Sequence, residues 1–154
     1  MKISTKGRYG LRILLDLAIH QSEKPRLIRD IAKSQQISEK YISRLVIALR
    51  KGGMIRSIRG VNGGFHIAMK PEEITLLDVI EVMEGPLSIV DCVKAPKRCA
   101  RHENCAPREI WCKLNNDIRD LMRQTTLADI LAAYDRQNAK DGLSDYCTTR
   151  GKDE

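Results

Sequence analysis

The sequence predicts a mainly α protein with one small β-hairpin. Three observations predict it. Apolar residues recur at helical spacing three times within the first 51 residues. An Asn-Gly pair then separates two short runs rich in Ile and Phe, a strong hairpin signal. From Pro71 onward helical stripes resume, each opened by a capping residue or a proline.

The first helix starts after Ser4 or Thr5, with Leu11, Leu14, Leu15, Ala18 and Ile19 on one face. A short second helix runs from Ile28 to about Ser34. Ser38 is a good N-cap for the third, and Ile37 and Ile42 stand in hydrophobic-staple positions around it. That helix continues to Arg50 or Lys51 and stops at Gly52-Gly53. Its inner face reads Ile42, Leu45, Val46 and Leu49, and its outer face Lys40, Ser43, Arg44 and Ile47. Strands are expected from Met54 to Arg59 and from Phe65 to Met69, joined by Gly60-Val61-Asn62-Gly63-Gly64. Helix, short helix, helix, hairpin is the order of a winged helix-turn-helix, here residues 1–70.

Residues 71–106 form a connecting helix and a loop. Thr75 caps the helix with Asp78 three residues on, Leu76, Val79, Ile80 and Met83 form its stripe, and Gly85 ends it. Residues 86–106 show no periodicity. Residues 107–137 are helical again. Pro107 suits a first turn, and Ile110, Trp111, Leu114, Ile118, Leu121 and Met122 share one apolar face. Thr126 with Asp129 opens a last helix through roughly Tyr134. Residues 138–154 have the polar composition of a disordered tail.

Charge divides the chain. Residues 1–70 hold 15 Lys and Arg against 4 Asp and Glu; residues 71–154 hold 12 against 16. A basic front and a mildly acidic back suit a protein whose first half meets a polyanion. No apolar leader or spanning segment is visible, which points to a cytoplasmic protein with no membrane partner. Cysteines there stay reduced and serve as ligands or redox groups more than as disulfides. No catalytic constellation is present: His20, His66 and His102 are scattered and no nucleophile or phosphate-loop motif occurs, so the expectation is not an enzyme.

The third helix is the candidate reader of DNA. Ser38, Lys40, Tyr41, Ser43 and Arg44 lie at or near its N-terminal end, where a helix entering the major groove presents donors to base edges. Any surface helix can show such a face, and the hairpin raises its weight. Arg56, Ser57, Arg59 and Gly60 make an arginine-bearing wing able to enter the minor groove, with glycine allowing close backbone approach. The second candidate site is the run Asp91 to Pro107. Cys92, Cys99, Cys105 and Cys112 follow as C-x6-C-x5-C-x6-C. The absence of C-x2-C argues against a zinc ribbon, whereas a bulky iron–sulfur cluster accepts longer intervals. Lys94, Lys97, Arg98 and Arg101 would offset the negative charge of a thiolate-bound cluster. Incidental cysteines in a loop are the competing reading, and Cys147 reads as a free thiol in the tail.

Met1 to Gly10 (M-K-I-S-T-K-G-R-Y-G), Ile37 to Ile42 (I-S-E-K-Y-I), Arg56 to Phe65 (R-S-I-R-G-V-N-G-G-F) and Glu73 to Ile80 (E-I-T-L-L-D-V-I) resemble the bacterial iron–sulfur cluster-type winged-helix regulators, the group of IscR, NsrR, RirA and CymR. The resemblance is greatest to IscR-like members and runs over about residues 1–135, through the cysteine loop to Thr126-Leu127-Ala128-Asp129. It implies a homodimer whose residues 107–122 form the dimerisation helix, binding a double-stranded DNA operator. It also implies that Cys92, Cys99 and Cys105 hold an iron–sulfur cluster, with [2Fe–2S] favoured over [4Fe–4S], controlling iron–sulfur, iron or redox-related genes. Where IscR has a histidine ligand this chain has Arg108, which has no lone pair to give. Where NsrR supplies an aspartate, Lys6 and Arg8 stand. Cys112, one turn beyond Arg108, is the candidate fourth ligand. The CymR-like branch implies the alternative: the same fold as a cluster-free repressor of cysteine metabolism, controlled by thiol redox chemistry or a regulatory protein partner.

Overall fold

The computed structural model describes residues 3–21, 24–60 and 62–139. The predicted tail therefore falls almost wholly outside the described residues, as does Cys147. Helix α1 spans Thr5–Ile19, capped by Ser4, whose Oγ accepts from the Lys6 N–H at 3.1 Å. Helix α2 spans Ile28–Gln35 and ends at Gln36, held in the left-handed region at φ 54° to make the turn. Helix α3 spans Glu39–Lys51, and Ser38 caps it by accepting from the Tyr41 N–H. All four residues expected on its inner face are buried.

Strands β1 (Ile55–Ile58) and β2 (Gly64–Ile67) pair antiparallel. They are shorter than the apolar runs predict. Met54 and Ala68 remain joined by one hydrogen bond of 2.9 Å beyond the ladder, and glycines at φ 110° (Gly60) and 156° (Gly64) turn the chain at the tip. Arg26 pairs with Phe65 from the other side, so the segment before α2 is tied to the wing.

Helix α4 (Leu76–Glu84) opens with the expected Thr75–Asp78 capping box. A short helix α5 (Asp91–Lys94) and a 3₁₀ turn (Pro96–Arg98) lie in the stretch that shows no periodicity; one turn each is too short for a repeat to register. Helix α6 spans Ala106–Gln124 and α7 Leu127–Ala139. The last helix outruns its apolar pattern because its final turns are exposed and polar, adding backbone bonds without buried contacts. Thr126 and Asp129 cap it reciprocally, and the hydrogen bonds from the Thr126 main chain and hydroxyl hold the Asp129 carboxyl below its ordinary value. The starts of α4 and α7 lie side by side, with Leu76 N–H donating to Thr125 O and Leu127 N–H to Ile74 O.

One core joins the helices and the hairpin: Leu14 and Leu17 of α1, Ile31 of α2, Ile42 and Leu49 of α3, Ile55 of β1, Val79 of α4 and Leu127 of α7 belong to the same buried cluster. Helix α4 reaches α1 closely because α1 offers Gly7 and Gly10 one turn apart. A Cβ on Gly7 would stand 2.5 Å from Glu84 Oε1 and 2.8 Å from Ile80 Cδ1; one on Gly10 would stand 2.8 Å from Met83 Cγ. Glu84 sits there because its Oε1 accepts the N–H groups of Ser4 (2.8 Å) and Gly7 (3.2 Å), an N-cap supplied by another helix. Gly7→Ala should therefore destabilise the fold by about 1–3 kcal/mol, the usual cost of overpacking, although alanine is the better helix former by about 1 kcal/mol. Urea midpoints of the two proteins measure this; a stabilised variant would show that α4 moves away freely.

Candidate nucleic-acid interface and cysteine loop

Of the five predicted reader residues, two stand on the exposed edge of α3. Lys40 and Arg44 are exposed and Ile47 is 48 % exposed, while Ser38 is engaged as the cap. Ser43 is half-buried and its hydroxyl donates back to Glu39 O at 2.8 Å, which leaves its lone pairs but not its proton for a partner. Tyr41 leans on α1. Its ring meets Tyr9 edge to face at 5.8 Å, and the Arg12 guanidinium lies 5.4 Å over the Tyr9 ring. Tyr9 and Arg12 were not singled out in the sequence, although both belong to its opening basic stretch.

The four wing residues do not lie together on one face. Arg59 and Gly60 lie in the exposed tip, beyond the end of β1. The ladder places Arg56 opposite His66 and Ser57 opposite Phe65. Side chains alternate along a strand. Arg56 and His66 thus share one face, and Ser57 shares the other with Ile55, Phe65 and Ile67, which pack on the core.

What aligns helix and wing is a buried polar node. Asp16, 2 % exposed, accepts from Arg26 Nε at 3.1 Å and Nη2 at 3.3 Å, from the Ser34 hydroxyl, and from Gln35 Nε2 at 3.4 Å. Arg26 belongs to the segment paired with β2; Ser34 and Gln35 end α2 just before α3. One carboxylate therefore ties α1, the turn into the reader helix and the wing root. The available signal was an acid standing inside an apolar stripe, between Leu15 and Leu17.

The cysteine loop is fastened at one end. Asn115 of α6, 5 % exposed, accepts the Ile89 N–H at 3.1 Å, and Arg108 Nε donates to the Cys92 carbonyl at 3.3 Å. Glu81 of α4 accepts from Arg119 of α6 and from the Leu87 N–H. Burial pushes the Glu81 carboxyl up, but the Arg119 and Leu87 hydrogen bonds together with the Arg119 charge prevail, and it lies below its ordinary value. Cys92 sits in α5, Cys99 ends the 3₁₀ turn, Cys105 precedes α6 and Cys112 lies within it; all four are free and half-buried. His102 Nδ1 lies 2.9 Å from the Cys99 carbonyl. Three thiols in one loop are a suitable donor set for iron. Among the described residues, however, no three His, Cys, Asp or Glu side chains converge into a metal-holding group, so this conformation is not a cluster cage. Around the thiols, Lys94, Lys97, Arg98 and Arg101 are all exposed. Among the described residues no helix is long and apolar enough to cross a membrane.

Comparison with known proteins places this arrangement. The Rrf2 family model, described as an iron-dependent transcriptional regulator, matches residues 3–133. The chain is 41 % identical over 134 residues to the HTH-type transcriptional regulator CymR of Bacillus subtilis, covering 87 % of this chain and 91 % of the relative. The structure of that global cysteine regulator superposes with TM-score 0.75 at 38 % identity, over 86 % of this chain and 98 % of the other. The structure of T. potens IscR superposes with TM-score 0.71 at 33 % identity, over 94 % of each chain. With a family model spanning residues 3–133 and a relative 41 % identical over 134 residues, the chain belongs to the Rrf2 family of transcriptional regulators.

Proposed function

We propose that this regulator binds its operator as a homodimer and that an iron–sulfur cluster at Cys92, Cys99 and Cys105 sets its operator affinity, controlling iron–sulfur, iron or redox-related genes. The observation that carries the reading is placement. The exposed cationic edge of α3 and the Arg59 tip lie in the same N-terminal half, and a loop with three free thiols joins the next helix, α4, to α6. When bound, the cluster would supply a crosslink sensitive to oxygen and redox state. Arg108 and Asn115 already hold the loop's first half against α6. A change in the loop is thus transmitted to α6, and it regulates only if the two states differ in DNA affinity.

A second reading keeps the same fold as a cluster-free regulator controlled by thiol oxidation or a protein partner. Iron and acid-labile sulfide, measured on protein purified without oxygen, separate the two. The cluster reading expects both elements, lost on replacing Cys92, Cys99 or Cys105 with alanine and retained on replacing Cys147. Colourless wild-type protein, or zinc without sulfide, would establish the second reading instead.

For DNA, Arg59→Ala should weaken operator binding by about 1–3 kcal/mol, the range for one good groove contact. Substitutions at Lys40 and Arg44 should alter the preferred sequence. Electrophoretic mobility or anisotropy titrations at one salt concentration measure both. Undiminished binding by Arg59→Ala would remove the wing tip from the interface.

A further inference from the structure

The wing has a second cationic feature, away from its tip. Arg56 and His66 face each other directly across the ladder, on the side turned away from the core. Together with Gln21 at the end of α1 and Lys70 after β2 they line a concavity of about 310 Å³. Among the described residues no carboxylate lines it; the other lining residues are Ile67, Ala68 and Met69. Among the described residues no ion pair engages Arg56, His66 or Lys70. Glu73, a nearby acid along the chain, points its carboxylate elsewhere and accepts the Lys70 main-chain N–H at 3.3 Å. A guanidinium fork, an imidazole, an ammonium and an amide around one hollow are the donors that tetrahedral oxyanions accept.

We infer that the Arg56–His66–Lys70–Gln21 hollow is a phosphate-binding site. The group is either a phosphodiester of operator DNA beyond the bases met by the Arg59 tip, or a phosphate carried by a free small molecule. The first source rests on the DNA-binding reading above; the site itself does not. Being on the same hairpin as Arg59, the hollow would add a backbone contact that positions the wing without reading sequence.

The test has two arms, each run on wild type and on the exposed-residue variant Arg56→Gln/Lys70→Gln, with unchanged core methyl resonances as the check of folding. In the first, inorganic phosphate is titrated into free protein at constant ionic strength while the His66 ring resonances are followed. Wild type should show a saturable shift, and the variant should need at least about tenfold more phosphate. In the second, affinity for a duplex selected by the protein from a random pool is measured against salt. The slope of log affinity on log salt should fall by about 0.9 for each phosphate that the variant no longer neutralises. Both effects together assign the site to DNA phosphate. A phosphate response with an unchanged slope assigns it to a free phosphate-bearing ligand. No saturable phosphate response, whatever the slope, overturns the inference. Wild-type protein that selects no duplex would sink the DNA-binding reading, and the phosphate arm would still decide this one.

Discussion

Asp16→Ala is expected to cost about 3–5 kcal/mol, the loss seen when one partner of a buried ion pair is removed. The substitution leaves Arg26, only 18 % exposed on its side chain, without its carboxylate, and strips the Ser34 hydroxyl and Gln35 amide of a shared acceptor. A domain of this size is stable by about 5–15 kcal/mol in all. The variant should therefore be marginal near body temperature, and its wing should loosen, since Arg26 is also the residue whose main chain pairs with Phe65. Removing both charges together, as Asp16→Ala with Arg26→Met, should recover part of the loss, because the remaining cost is packing and hydrogen bonding without a stranded charge. Urea unfolding of the four proteins in the cycle gives the coupling. A single-variant cost below about 1 kcal/mol, or strict additivity, would show that the node is not a coupled pair.

The second large effect is expected at α6. Ile110, Trp111, Leu114 and Leu121 are 57 %, 41 %, 41 % and 65 % exposed, an apolar row left uncovered by the chain's own fold. Under the homodimer reading a second copy covers it, and two half-sites are gripped at once. Trp111→Glu/Leu121→Glu should then yield a folded monomer whose operator affinity is lower by about 10²–10⁴-fold, the gain that linking two binding modules typically brings. Helicity should be unchanged, because neither side chain belongs to the core. Sedimentation and operator titration read the two quantities separately. A dimer that persists with both glutamates would place the interface elsewhere.

Much of the fold was legible because it rests on local rules. Ser38, Thr75 and Thr126 cap the helices that follow them, since a side-chain oxygen satisfying an orphan N–H is a matter of a few consecutive residues. The period of Ile42, Leu45, Val46 and Leu49 announced the buried face of α3, because burial follows the helical repeat. Features built from residues far apart were not legible. Nothing local says that Glu84 caps α1 or that Gly7 and Gly10 exist to admit α4; these meanings arise only once α4 is laid across α1. The apolar face of α6 read as one stripe, yet the structure divides it. Met122 and Ile118 pack with α4, while Trp111 and Leu121 stay outside. A stripe records that burial is needed, not what provides it.

The same division holds for the site. Sequence by itself determined the helix–helix–helix–hairpin order, the polarity of α3, the arginines of the wing and the grouping of three cysteines, all properties of spacing and composition. Tertiary structure decided that Arg56 parts from Arg59 to face His66, because strand register and pleat assign faces. It decided that Asp16 aligns helix and wing, because a carboxylate becomes a hub only when donors distant in sequence close around it. It also decided that Arg108 grips the Cys92 carbonyl, because α5 folds back onto the start of α6, whereas spacing in sequence bounds the reach of a side chain without fixing its partner.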